Sequence, residues 1–458
     1  MKGNHFLKTI LIGLALVGFA SEASAEIWSV GQSDAQFQSV QAAIAAAKPG
    51  DTIQVHSGTY VGDLALDKPV VLEGVGKPTL RGSGQGSVVT AVADGCTIKG
   101  FAIEHSGGDL QKEDSGILLK SNNNRVEQNE LRDILFGVYL YHSQGNIIRR
   151  NVIRGRSELE LGERGAGLHL WYSPDNLIEE NTITEARDGM YIQSSNGNVI
   201  RRNRAFNLRY GLHYMFSDTN KFEDNLFSHN VAGAAIMYSR RIEFRRNAFI
   251  HNRGFSSFGI LFQDCDECLA EENFIIDNAT GVFMEALRKS TFRHNIIAEN
   301  DVALQIFSSV DENVFSGNNF VENLSPLQLI GKRTTTRWSQ DGRGNYWSDY
   351  DGYDLDGDGV GDVPHKVQNV FEYMEGNYPR LRLYLHSPAA QGLAMAEKAF
   401  PIVKGSPEVD PAPLMKAVRL PFPFDQAKPE RDPHFSLGAI SLVMLGTAFA
   451  VLWRGQRK

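Results

Sequence analysis

The chain has 458 residues, with 46 Lys+Arg against 54 Asp+Glu and a formal net charge of −8. An acidic chain without a basic stripe cannot neutralise phosphates, which excludes a nucleic-acid binder. With 42% hydrophobic residues, 22% charged residues and only three cysteines, it is neither broadly disordered nor stapled by disulfides.

The N-terminus combines Lys2 to Lys8, an apolar run Thr9–Ala20 and the small residues Ala23-Ser24-Ala25. These are the parts of a secretory signal over residues 1–25, so the chain is expected to be exported and to start at Glu26. Phe37–Ala47 (FQSVQAAIAAA) reads as a helix, ending at Lys48-Pro49-Gly50-Asp51. It is placed to cap the open edge of the sheet that follows.

The middle of the chain is a repeat. Glycine stands at Gly116, Gly137, Gly167, Gly189, Gly211, Gly233, Gly259 and Gly281, at steps of 21, 30, 22, 22, 22, 26 and 22. Asparagine stands at Asn129, Asn151, Asn181, Asn203, Asn225, Asn247, Asn273 and Asn295, at nearly the same steps. A second asparagine column runs five residues earlier through Asn146, Asn176, Asn198 and Asn220. Shared irregularities in independent columns mean one structural unit per ~22 residues. Each unit is rich in strand formers (VYLY, GLHLWY, NVIRRN), with no helical period. The expected fold is all-β, a right-handed parallel β-helix, with Asn amides stacked at turns where Asn takes the left-handed conformation.

After each glycine, positions +1 and +3 are apolar and face inward, as at Leu168/Leu170 and Met190/Ile192. Positions +2 and +4 then face outward. Position +2 reads Leu118, Tyr139, His169, Tyr191, His213, Ala235, Leu261, Phe283; position +4 includes Tyr141, Trp171, Gln193, Met215 and Met237. An outward stripe of aromatics, His and Met marks an interaction site. Two readings fit it. His169, His213, Met215 and Met237 offer imidazole and thioether ligands suited to a soft ion such as Cu(I). Alternatively, Tyr139, Tyr141, Trp171 and Tyr191 form a platform for protein docking or sugar stacking. The two irregular steps, Asn151–Gly167 and Asn247–Gly259, insert residues at one corner, bordering this stripe.

Further along, Cys265 and Cys268 form a C-x-x-C, for which a local disulfide is expected after export. Asp264 and Glu285 lie on neighbouring coils and could act as paired carboxylates. Asp354, Asp356, Asp358 and Asp362 match positions 1, 3, 5 and 9 of a calcium loop, although position 12 is His365 rather than Glu. Nine of the 16 prolines fall within Pro388–Pro433, an extended strap or tether. Phe435–Trp453 is a run without charge, long enough to span a bilayer, followed by Arg454, Arg457 and Lys458 on the cytoplasmic side. The expected segments are thus a signal (1–25), a β-helix (26–386), a Pro-rich strap (387–434), a transmembrane helix (435–453) and a cytoplasmic tip (454–458).

Four stretches carry a family resemblance: the cap (VQAAIAAAKPGDTIQVHSGTY), the repeats, GNYWSDYDGYDLDGDGVGD at 344–362 and DPAPLM at 410–415. Together they resemble the NosD family of nitrous-oxide reductase maturation proteins. The resemblance implies a periplasmic β-helix that works with a membrane ABC transporter and helps supply copper to the reductase's copper centres. It adds a copper chaperone and the reductase as contacts, and supplies no ligand set. The combined expectation is a non-catalytic accessory protein anchored at the inner membrane, handling Cu(I) along the stripe and holding calcium in the Asp-rich loop. The rival is a polysaccharide lyase, epimerase or hydrolase, which needs clustered acids and a base in a groove; a third reading is a docking scaffold.

Overall fold

The computed structural model describes residues 25–367 (except 33, 255 and 333), 387, 392, 408–422 and 424. The expected signal, membrane span and cytoplasmic tip, and most of the Pro-rich segment, lie outside the described residues. No helix among the described residues is long and apolar enough to cross a membrane.

The described chain is a parallel β-helix with three faces, formed by sheets of 13, 12 and 13 strands. One coil shows the plan. Leu177–Glu179 runs on the first face, Thr182–Thr184 on the second and Asp188–Gln193 on the third, which carries the stripe. The next coil repeats it with Val199–Arg201, Arg204–Phe206 and Tyr210–Met215, each paired in parallel with its equivalent below. The helix at the start spans Val40–Ala46, shorter than the apolar run suggests. Ser39 caps it by accepting a hydrogen bond from the Ala42 N–H, and Val40, Ala43 and Ile44 are buried.

Alternation within each short strand sends one set of side chains inside. Leu168, Leu170, Met190, Ile192, Leu212 and Tyr214 are fully buried, as the glycine register requires. Interior phenylalanines stack from coil to coil, for example Phe222 on Phe244 (ring centroids 4.7 Å apart) and Phe292 on Phe315 (4.5 Å). The glycine column is needed for close approach. A Cβ on Gly189 would lie 2.5 Å from the Gly211 carbonyl oxygen, and one on Gly211 would lie 2.6 Å from that of Gly233.

The asparagine columns are buried hydrogen-bond ladders. Asn181 accepts from the N–H and side-chain amide of Asn151 (both 3.0 Å) and donates to Ile148 O (2.8 Å) and Asn203 Oδ1 (2.9 Å). A third ladder, not read from the sequence, runs through Asn230, Asn252, Asn278, Asn300 and Asn323. The expected left-handed Asn is corrected: the left-handed residue is the one before it. Gln128, Arg150, Glu180 and Arg202 have φ of 57°, 55°, 59° and 54°, while the following Asn supplies the side chain that ties the corner together. The exposed αL residue costs about 1 kcal/mol or somewhat more, which the ladder bonds offset.

Cys265 and Cys268 sit where other coils place Ser and Asn. The expected disulfide is not formed: both thiols are free and buried, and they donate to main-chain carbonyls such as Ile236 O (from Cys265) and Asp266 O (from Cys268). The third cysteine, Cys96, is buried as well.

The last rung of the main ladder comes from the segment 408–422. Asp410 accepts from Asn345 N (2.7 Å), Asn345 Nδ2 (3.2 Å) and Trp347 Nε1 (2.9 Å), so its carboxylate ends the Asn295–Asn318–Asn345 series. Val409–Asp410 pairs antiparallel with His365–Lys366, and Val418 and Phe422 then run back over Asn319 and Phe274. The buried Asp explains why DPAPLM accompanies the end of the solenoid.

Candidate functional site

The stripe lies on the third face, between the corner that carries the insertions and the corner that carries the Ser/Asn ladder. Two loops wall its first half. Residues 105–114 and 155–165 are clamped together by Arg156, which donates to Ser106 O (2.6 Å), Gly107 O (3.1 Å) and Asp133 Oδ1 (3.0 Å). Leu159 of the second loop packs, with Tyr191, against the buried cluster of Leu135, Phe136 and Ala166. The charged segment Arg154–Arg164 is therefore a packed wall over the stripe.

This wall divides the stripe in two. In the first half, Tyr139 and His169 are each only 4% exposed, which corrects the reading of Tyr139 as part of an open platform and of His169 as a ligand on an open stripe. Their rings stack at 4.5 Å, and Phe136 lies 5.6 Å from His169 on another side. Burial, helped by the adjacent Arg187, pulls the His169 pKa down to about 3, so the imidazole is neutral. Tyr141 is exposed, and Trp171 and Tyr191 are half-buried; these three are what remains of the expected platform.

The second half holds His213, Met215 and Met237, all partly exposed. Met215 and Met237 are register partners on adjacent strands, and His213 lies two residues before Met215 on one strand. These three are brought together. His169 is not one of them. Its register runs through Tyr191 to His213, and the Tyr191 ring lies edge-on between the two imidazoles at 4.8 Å from each. Two coil steps of about 4.8 Å separate the two histidines, too far for one shared ion.

What orients His213 was missed from the sequence. Asp188 is fully buried at the start of the neighbouring strand, and its Oδ2 lies 3.2 Å from His213 Nδ1. Arg209 grips the same carboxylate at 2.9 and 2.6 Å and lies over the Tyr210 ring at 4.5 Å. Burial alone would raise the Asp188 pKa, but the hydrogen bonds from His213 and Arg209 outweigh it and hold the group below its ordinary value. A fixed carboxylate on Nδ1 keeps the hydrogen there and leaves the Nε2 lone pair for an incoming ligand. The signal was available. Just before the repeat glycine stand Ser115, Phe136, Ala166, Asp188, Tyr210, Ala232, Phe258 and Thr280, and Asp188 is the one charge among them.

Beyond Met237 the stripe becomes polar. Gln263 donates to Glu285 Oε2 (3.1 Å), while Asp264 is paired with Arg288 at 2.9 Å. The proposed carboxylate pair is thus split between separate partners. Far from the stripe, the Asp-rich loop brings Asp354, Asp356 and Asp358 within 4.8 Å of one another. Asp362 is not part of that group; its Oδ2 accepts from the Leu355 N–H at 2.7 Å.

Comparison with known proteins gives a consistent result. A family model described as "Periplasmic copper-binding protein (NosD)" matches residues 154–352, and one described as "Protein of unknown function (DUF1565)" matches residues 26–243. A "Probable ABC transporter binding protein NosD" of Pseudomonas aeruginosa is 36% identical over 376 residues, covering 79% of this chain and 87% of the relative. The protein of the same description from Stutzerimonas stutzeri is 34% identical over 377 residues, covering 79% and 86%. Among solved structures, the mannuronan C-5 epimerase AlgE6 A-module of Azotobacter vinelandii is similar with a TM-score of 0.55 at 16% identity, covering 66% of this chain and 93% of that one. A family 28 exopolygalacturonase of Yersinia enterocolitica gives 0.53 at 11% identity, covering 69% and 79%. These two likenesses concern the β-helix fold.

Proposed function

The chain belongs to the NosD family, and from that premise we propose that it is a periplasmic accessory protein that carries copper for nitrous-oxide reductase maturation. The observation that supports this most is the group formed by His213, Met215 and Met237 beside the buried Asp188–Arg209 pair. Copper is the cargo. The Nε2 of His213 and the two thioethers are the soft donors this chain offers, a set suited to Cu(I). Asp188 holds the imidazole in the tautomer that can bind, and the Tyr191 hydroxyl, 3.9 Å from Met215 Sδ, helps to position one thioether.

The partners follow from the same premise. The relatives' name supports docking to a membrane ABC transporter, with a copper chaperone and the reductase as donor and acceptor. The exposed Tyr141 and the half-buried Trp171 and Tyr191 continue the stripe on the Met215 side of the thioether group and are where such a partner would settle. Inner-membrane attachment through 435–453 is part of the proposal, resting on hydropathy. Calcium in the loop of Asp354, Asp356 and Asp358 is a structural adjunct, with Asp362 outside it. Catalysis on a polysaccharide is disfavoured, because Asp264 and Glu285, the candidate acid pair, are tied to different partners.

Cu(I) titration of the full chain against a competing chelator tests the reading. One ion per chain is expected, with at least a tenfold loss of affinity in His213→Ala combined with Met215→Ala. Absence of stoichiometric binding, or binding untouched by that double change, would sink it. Turnover of an alginate or pectin-type polymer would favour the enzyme instead.

A further inference from the structure

His169 is an anomaly within the stripe. Its ring is buried, and neither Nδ1 nor Nε2 has a hydrogen-bond partner among the described residues. Buried polar groups are almost always paired, because an unpaired one forfeits its hydration with nothing in return. The ladder amides one corner away obey that rule through coil after coil. The nearest charged oxygen to His169 is Glu113 Oε1, 3.6 Å from Nδ1, beyond hydrogen-bonding range.

Glu113 sits at the end of loop 105–114 with φ at 55°, the left-handed corner conformation that Glu180 also takes. Its side chain remains 30% exposed, leaving a solvent path from the loop side. An imidazole nitrogen and a carboxylate oxygen bound to one ion at about 2.0–2.2 Å each stand roughly 3.0–3.6 Å apart at ordinary bond angles. The observed separation lies at the top of that range.

We propose that His169 Nδ1 and Glu113 form a second metal site, distinct from the His213–Met215–Met237 group and selective for a borderline divalent ion of the zinc class. Nitrogen and carboxylate oxygen suit such ions, whereas thioethers select a soft monovalent one. The Tyr191 ring separates the two sites, and the proposal does not depend on the copper reading of the other half. Water entering past Glu113 completes the coordination.

The test is titration of zinc, with cobalt(II) as optical probe, into the full chain in excess calcium, which occupies the Asp-rich loop. One ion per chain is expected, unaffected by Met215→Ala with Met237→Ala and weakened at least tenfold by either Glu113→Gln or His169→Phe. Glu113→Gln changes a partly exposed loop residue, so it tests the site even if His169→Phe fails to fold. Cu(I) binding that fails while zinc binding persists and depends on Glu113 counts for this site and against the copper one. Zinc binding that survives both changes, that is abolished by the methionine pair, or that is absent from the unaltered chain overturns the proposal.

Discussion

In the corner ladder, eight successive coils from Asn129 to Asn295 carry the same residue; at position +2 of the stripe, no two neighbouring coils do. Both columns ride on one 22-residue plan and differ in what selects them. A corner has one physical requirement, pairing of buried main-chain groups, and Asn meets it identically each time because its amide both donates and accepts. The stripe has no such requirement, since either a loop or solvent lies above it. Its residues are free to differ from coil to coil, and a cluster such as His213, Met215 and Met237 stands out against that freedom. In a solenoid, uniform columns report structure and uneven ones report chemistry.

The contrast is broken most severely in the middle of the ladder. Asn181→Ala removes two accepted and two donated hydrogen bonds and strands Asn151 N and Ile148 O in the interior. At about 1 kcal/mol per bond, with more for the orphaned groups, the expected loss is about 3–5 kcal/mol in denaturant unfolding. A loss below about 1 kcal/mol would mean that water replaces the amide and that the ladder is not what holds the corner. The equivalent change at Tyr141, an exposed position of the stripe, should cost far less stability.

The buried half of the stripe should answer to pH. In metal-free protein the folded-state pKa of His169 is about 3, against about 6.5 in an unfolded chain. Between those values the unfolded chain binds the proton and the folded one does not. Stability is therefore complete above pH 6.5 and falls as pH drops toward 3, at up to about 1.4 kcal/mol per pH unit from this group. Unfolding at pH 7 and pH 5 in the presence of a chelator should show a drop of about 2 kcal/mol that His169→Phe removes. Parallel profiles for the two proteins would show that the imidazole is not held neutral in the fold.

How far the sequence carried these conclusions depends on the length scale of each cause. The coils, the inward residues and the ladder positions were legible because they repeat, and repetition is visible without coordinates. The glycine register put Leu168, Met190 and Tyr214 inside, and there they lie. Burial of Tyr139 and His169 was not legible, because it comes from the loops at 105–114 and 155–165, whose folding onto the stripe no period announces. The free thiols of Cys265 and Cys268 were misread because spacing suggested a pair to be oxidised, whereas the ladder gives each thiol hydrogen-bond partners in the reduced form. Asp410 was quoted only as part of a motif; its role ending the ladder depends on a chain reversal across some 60 residues.

The smallest expected effect sharpens the other side of the contrast, the open half of the stripe. Asp188→Asn keeps the side-chain size and one oxygen for His213, but removes the charge that binds Arg209 and fixes the Nδ1 hydrogen. If the stripe carries Cu(I) through His213, the affinity should fall ten- to a hundredfold, as when the carboxylate behind a ligating histidine is removed. Tenfold is about 1.4 kcal/mol. The competing-chelator titration reads this directly, and a parallel Asp188→Glu variant separates charge from reach: the same charge on a longer arm should recover only part of the loss. Unchanged Cu(I) affinity in Asp188→Asn would mean that the carboxylate serves Arg209 alone. In that case the one charge in its column would be a structural rung, and the rule that uneven columns report chemistry would fail where it was most clearly drawn.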